Sequence, residues 1–133
     1  MPGEALYVYD GNMYKILRRY INMMQNIDVY ILSFKKGLIN IHDKIEPYEF
    51  NPKIDDILSK LDELDYKFSK ILNDDIDELC LRLSGKVVEI ILPIIRRYYS
   101  GKITIIEGTF QTMNLKTEEW IKEHIETKTI FDY

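Results

Sequence analysis

The chemistry open to this chain is set first by its carboxylates. Between Lys53 and Glu78 nine of them stand against four lysines, a local net charge of −5. Asp55 and Asp56, then Asp62, Glu63 and Asp65, then Asp74, Asp75, Asp77 and Glu78 are the oxygen donors a hard divalent cation would take. They interleave with Lys60, Lys67 and Lys70 at helical spacing, the pattern of a solvated helix face, so no metal site is expected. His42 and His124 are isolated in the sequence and read as surface or capping residues. Cys80, the single cysteine, lies in Leu79-Cys80-Leu81 and reads as a small buried hydrophobe. Alone it permits no intramolecular disulfide. There is no glycine-rich phosphate loop, HExxH, GxSxG, cysteine pair or EF-hand loop. The expectation is a protein that is not an enzyme and needs no cofactor.

Basic residues offer a different chemistry. Two strings match, Leu17-Arg18-Arg19-Tyr20 and Ile95-Arg96-Arg97-Tyr98. On a continuous helix Lys15, Arg19, Asn22, Asn26, Ser33, Lys36 and Asn40 would share one side with no carboxylate in the row. Such a stripe can lie against phosphates or an acidic protein surface, or pair with the chain's own acidic segment. The candidate contacts to a partner or to nucleic acid are therefore Lys15, Arg18, Arg19, Lys36, Arg96 and Arg97. Ten tyrosines are a third feature, because each joins apolar area to one polar tip and suits subunit interfaces as well as cores. Tyr7, Tyr9, Tyr98, Tyr99 and Tyr133 fall outside the strongest apolar seams and are candidates for self-association.

The elements that would carry these residues follow from periodicity. Met13, Leu17, Tyr20, Met24, Ile27, Ile31, Phe34, Leu38, Ile41 and Ile45 step by four and three, which predicts one long helix from residue 13 to 45, stopped at Pro47. Asn51-Pro52 reads as the start of a second helix with a seam at Ile54, Ile57, Leu61, Leu64, Phe68 and Ile71, antiparallel to the first. After a turn near Asn73, the seam Ile76, Leu79, Leu83, Val87, Ile90 and Ile94 predicts a third helix kinked at Pro93. Its rival makes residues 87–92 a buried strand. Residues 102–113 read as a small β-hairpin or an extended loop around Gly108. Thr117 then caps a short final helix over 118–128. The predicted fold is mostly all-α, a four-helix bundle in a single domain over residues 1–133.

At 133 residues and a formal charge of −4, the chain can bury a core unaided, and its charge names no partner. The N-terminus lacks the basic start and apolar run of a signal peptide, and the longest apolar run, Ile90 to Ile95, is far short of the roughly 20 residues a membrane span needs. A soluble protein is expected. Its Ile-, Tyr- and Lys-rich vocabulary (ILRRYI, IILPIIRRYY, KITII), with one cysteine and four predicted helices, resembles the small helical-bundle proteins of tailed spindle-shaped viruses that infect heat-loving archaea. That resemblance implies a thermophilic viral structural protein, a self-assembling capsid or coat component of the virion made in the host cytoplasm. Its alternative is a small regulator that binds RNA polymerase or nucleic acid through a basic helix face.

Overall fold

The computed structural model describes residues 3–9, 11–33, 36–45 and 57–125. Among them are five α-helices and three two-stranded sheets. The fold is therefore mixed α and β, which overturns the four-helix bundle. Two compact units make it up: residues 1–31, 39–49 and 110–133 in the first, residues 32–38 and 50–109 in the second.

In the first unit, β1 (Gly3–Glu4) pairs antiparallel with β4 (Lys44–Ile45), Gly3 opposite Ile45. Between them in sequence lie α1 (Ala5–Val8), α2 (Asn12–Tyr20) and a 3-10 turn, Ile21–Met23. The predicted long helix ends here. Met13, Ile16, Leu17 and Tyr20 give α2 its apolar face, with Ile16 and Leu17 buried, and this face packs against α5 (Phe110–His124). Beyond Met23 the same apolar residues leave water by another route. Met24, Ile31, Ile41 and Ile45 are buried as expected, but Ile31 and Ile45 lie in strands and Met24 and Ile41 in irregular or turn backbone.

The reason is local chemistry that a seam does not report. Ile27, Val29 and Ile31 alternate and are β-branched, which suits a strand, and β2 (Tyr30–Ser33) pairs with β3 (Gly37–Asn40). Gly37 takes φ +80°, a turn conformation that breaks a helix and that glycine adopts without steric cost. Past β3, the Asn40 amide donates to Asp43 Oδ2 at 2.9 Å and the His42 amide to Asn40 Oδ1 at 2.9 Å. Side chains thus offer the backbone a turn in place of helical bonding. Pro47 and the Asn51-Pro52 helix start lie outside the described residues.

The second unit contains α3 (Leu61–Ile71), β5 (Glu78–Leu81), α4 (Gly85–Arg96) and β6 (Lys102–Ile105). The predicted second helix holds over Leu61–Ile71, with Leu64 and Phe68 buried. It packs on α4, whose own inward row is Val87, Ile91, Ile94 and Ile95. Residues 87–92 are therefore helical, and the helix runs through Pro93. The predicted third helix is shorter than its seam, because Glu78–Leu81 forms a strand. That strand pairs in parallel with β6, Glu78 opposite Lys102 and Leu81 opposite Ile105. Parallel neighbours need a crossover, which α4 supplies. The predicted hairpin at 102–113 is also corrected: β6 pairs backward in sequence with β5, Gly108 (φ +127°) breaks the chain direction, and α5 begins at Phe110.

Candidate functional site

The basic candidates are dispersed, and most are engaged by their own chain. Lys15 and Arg19 lie one turn apart on α2, while Lys36 sits in the turn before β3; the seven-residue row on one helix does not form, since α2 ends at Tyr20. Arg18 donates from one guanidinium nitrogen to the carbonyls of Leu6 (3.0 Å) and Tyr9 (3.3 Å), which ties α2 to the end of α1. Arg19 donates to Glu118 Oε2 at 2.8 Å, tying α2 to α5. Arg96 donates to the Gly101 carbonyl at 2.8 Å. Arg97 pairs with Asp65, joining the end of α4 to α3.

The tyrosines divide in a similar way. Tyr99 is 1% exposed and donates to the carbonyls of Ile76 (3.0 Å) and Lys102 (3.3 Å); it is a core residue that pins both strand entries. Burial pushes its phenol up, and the nearby Asp77, Asp74 and Glu78 act in the same direction. Tyr98 donates to Asp65, and that bond raises its phenol too. Tyr9 stacks on Tyr14 with ring centres 5.3 Å apart. Tyr7 remains 61% exposed. Tyr133 lies outside the described residues.

The acidic groups serve mostly as acceptors within the second unit. Asp62 and Glu63 occupy the first turn of α3, where carboxylates suit the positive end of the helix dipole. Asp74 Oδ1 accepts from the Ser100 amide (3.1 Å) and hydroxyl (3.0 Å), and Glu78 Oε2 from the Thr104 hydroxyl at 2.5 Å. Asp55 and Asp56 lie outside the described residues. Among the described residues no three His, Cys, Asp or Glu side chains converge as a metal site would require. Cys80 is half-buried on β5; burial, with Glu78 beside it, pushes its thiol up to about 12. A thiol held protonated is a poor nucleophile. His42 Nδ1 meets Glu4 Oε1 at 2.8 Å. His124 stacks on Trp120, with ring centres 4.0 Å apart.

Several large apolar side chains also stand at the surface. Phe110, the first residue of α5, is 81% exposed, and Leu115 is 66% exposed. Leu115 lines an open cleft with Asn12, Ile16, Gln111, Asn114 and Glu118, so an apolar floor from α2 and α5 is rimmed by amides and one carboxylate. Sequence reading missed this surface because it started the last helix at Glu118. A signal was present in the spacing of Met113, Thr117 and Ile121, the buried row of α5. Thr117, predicted as the cap, sits inside the helix and donates from its hydroxyl to the Met113 carbonyl at 2.6 Å, the back-bond a mid-helix threonine makes. No known family model, curated protein or solved structure matches the chain. No helix among the described residues is long and apolar enough to cross a membrane.

Proposed function

We propose that this chain is a non-enzymatic structural protein whose working surface is apolar and whose partner is another copy of itself. The observation that carries this reading is the exposure of Phe110 and Leu115 on α5, the latter in a cleft with Ile16. A phenylalanine left this far in water forgoes roughly 1.5–3 kcal/mol of burial, and rigid aromatic anchors beside a polar-rimmed cleft are what self-association buries. The basic side chains supply less to a rival reading. Four of the six candidates, Arg18, Arg19, Arg96 and Arg97, already bond within the chain, which favours positioning over phosphate contact. The narrower role of virion coat component rests on the sequence vocabulary alone, with no helical bundle beneath it.

The test is association measured by light scattering over a concentration and salt series. Oligomers that persist in high salt are expected, since burial of apolar area is not screened as exposed ion pairs are. Phe110→Ser together with Leu115→Ser should weaken association about tenfold or more. Reversing Lys15 and Lys36 to glutamate should leave association in high salt largely in place. Tight binding of nucleic acid that weakens steeply with salt, abolished by that double change in a chain that stays monomeric, would replace this reading with the regulator.

A further inference from the structure

The cleft of the first unit has a floor of Ile16 from α2 and Leu115 from α5, with Asn12, Gln111, Asn114 and Glu118 around it. Its volume is about 360 Å³. An apolar cavity of roughly 150 Å³ already takes up benzene, so a phenyl ring fits. Glu118, the one carboxylate of the rim, is compensated by Arg19 at 2.8 Å and Lys122 at 3.5 Å. The other rim groups are carboxamides, each of them both donor and acceptor. Such a cleft suits an apolar side chain whose surroundings are polar and uncharged.

Phe110 stands beside this cleft without entering it. It is 81% exposed and forms no part of the lining. The helix supplies the reason, because every Cα–Cβ bond tilts toward the helix N-terminus. The Phe110 ring therefore projects away from residues 111–118, which lie downstream of it. An antiparallel copy reverses that direction. Its Phe110 ring points along the first copy's α5 toward the C-terminal end, where the cleft lies, and the two-fold axis makes the first copy's ring do the same in return. With the axis midway between Thr112 and Met113, Phe110 stands opposite Leu115 and Gln111 opposite Asn114, each pair twice. At about 1.5 Å and 100° per residue, Phe110 and Leu115 are roughly 7.5 Å apart along α5 and all four residues lie within about 70° of one direction. One face thus meets its own copy with apolar groups against apolar groups and amides against amides.

We infer that α5 pairs antiparallel with α5 of a second copy, each Phe110 ring seated in the other copy's cleft on Ile16 and Leu115. The inference deepens the self-association reading and rests on it. The interface is isologous and closes as a dimer. Its two buried rings are the anchors, and the amide rim that shuts water out around them contributes less.

The decisive measurement is an isotope-filtered NOE spectrum of labelled and unlabelled full chain mixed in equal amounts, at a concentration where scattering shows association. Contacts are expected between the Phe110 ring of one copy and the Ile16 and Leu115 methyls of the other. Two variants then separate ring from cleft. Phe110→Ser loses the ring and keeps the cleft, whereas Leu115→Glu keeps the ring and puts a charge on the cleft floor. Each alone should weaken association about tenfold or more. Mixed together they should associate more tightly than either does alone, because the ring of one enters the cleft of the other. Both positions are exposed, melting curves report whether each variant is folded, and the wild-type spectrum stands without them. A chain that associates with no Phe110 contact across copies, or folded variants whose mixture associates no better than its parts, overturns the ring-in-cleft interface and leaves self-association standing. A chain that stays monomeric throughout overturns both.

Discussion

Tyr98 and Tyr99 are neighbours in sequence and have separate tasks: one reaches out to Asp65, the other turns inward to the carbonyls of Ile76 and Lys102. Gly101 makes the second arrangement possible, because a Cβ there would overlap the Tyr99 ring and its hydroxyl. The ring is buried and has nowhere to go. Gly101→Ala should therefore cost about 1–3 kcal/mol in a urea titration, although alanine ordinarily stiffens a loop to advantage. The Cys80 thiol gives a pH prediction. Its folded value is about 12 against an ordinary value of 9.0, so the unfolded chain loses this proton first. Between those values the folded state binds more protons, and stability should fall as pH rises from about 9 toward 12. The raised phenols of Tyr98 and Tyr99 act in the same direction above their ordinary value. Denaturation at several alkaline pH values should show a shallower decline in Cys80→Ala than in wild type, and equal slopes would contradict the assignment.

At the scale of elements, burial was legible and backbone geometry only in part. Met24, Ile31, Leu38, Ile41 and Ile45 are buried as the seam required, because apolar residues at such spacing leave water whichever element carries them. What the seam does not specify is helix or strand; there the turn residues Gly37, Asn40 and Asp43 decide. Leu61–Ile71 and Val87–Ile95 were legible as helices because their apolar periodicity holds and, for the second, Arg96, Arg97 and Gly101 mark the end. The β5–β6 pairing was not, since strands 24 residues apart find each other through tertiary packing, which no local window contains. The same holds for the cleft at Leu115, which needs α2 and α5 side by side. Ile91→Ala, at the contact of α4 with α3, should cost roughly 2–5 kcal/mol by urea denaturation. Thr117→Ala should leave the amides of residues 110–116 helical by NMR shifts, because Thr117 lies within α5; loss of helix at those positions would restore it as a cap.

For the whole molecule, the chain builds two separate cores, one around Leu6, Leu17 and Ile41 and one around Leu64, Ile91 and Tyr99, and still leaves large apolar side chains in water. A net charge of −4 opposes association only mildly, and added salt would weaken that repulsion further. The measurement closest to the central claim is the scattering mass of the purified chain over a wide range of concentration, at low salt and in about 1 M salt, where the Debye length is roughly 3 Å. The mass should rise above the 15.9 kDa monomer with concentration and should not fall in high salt. A mass fixed at that of the monomer at every concentration and salt would contradict it.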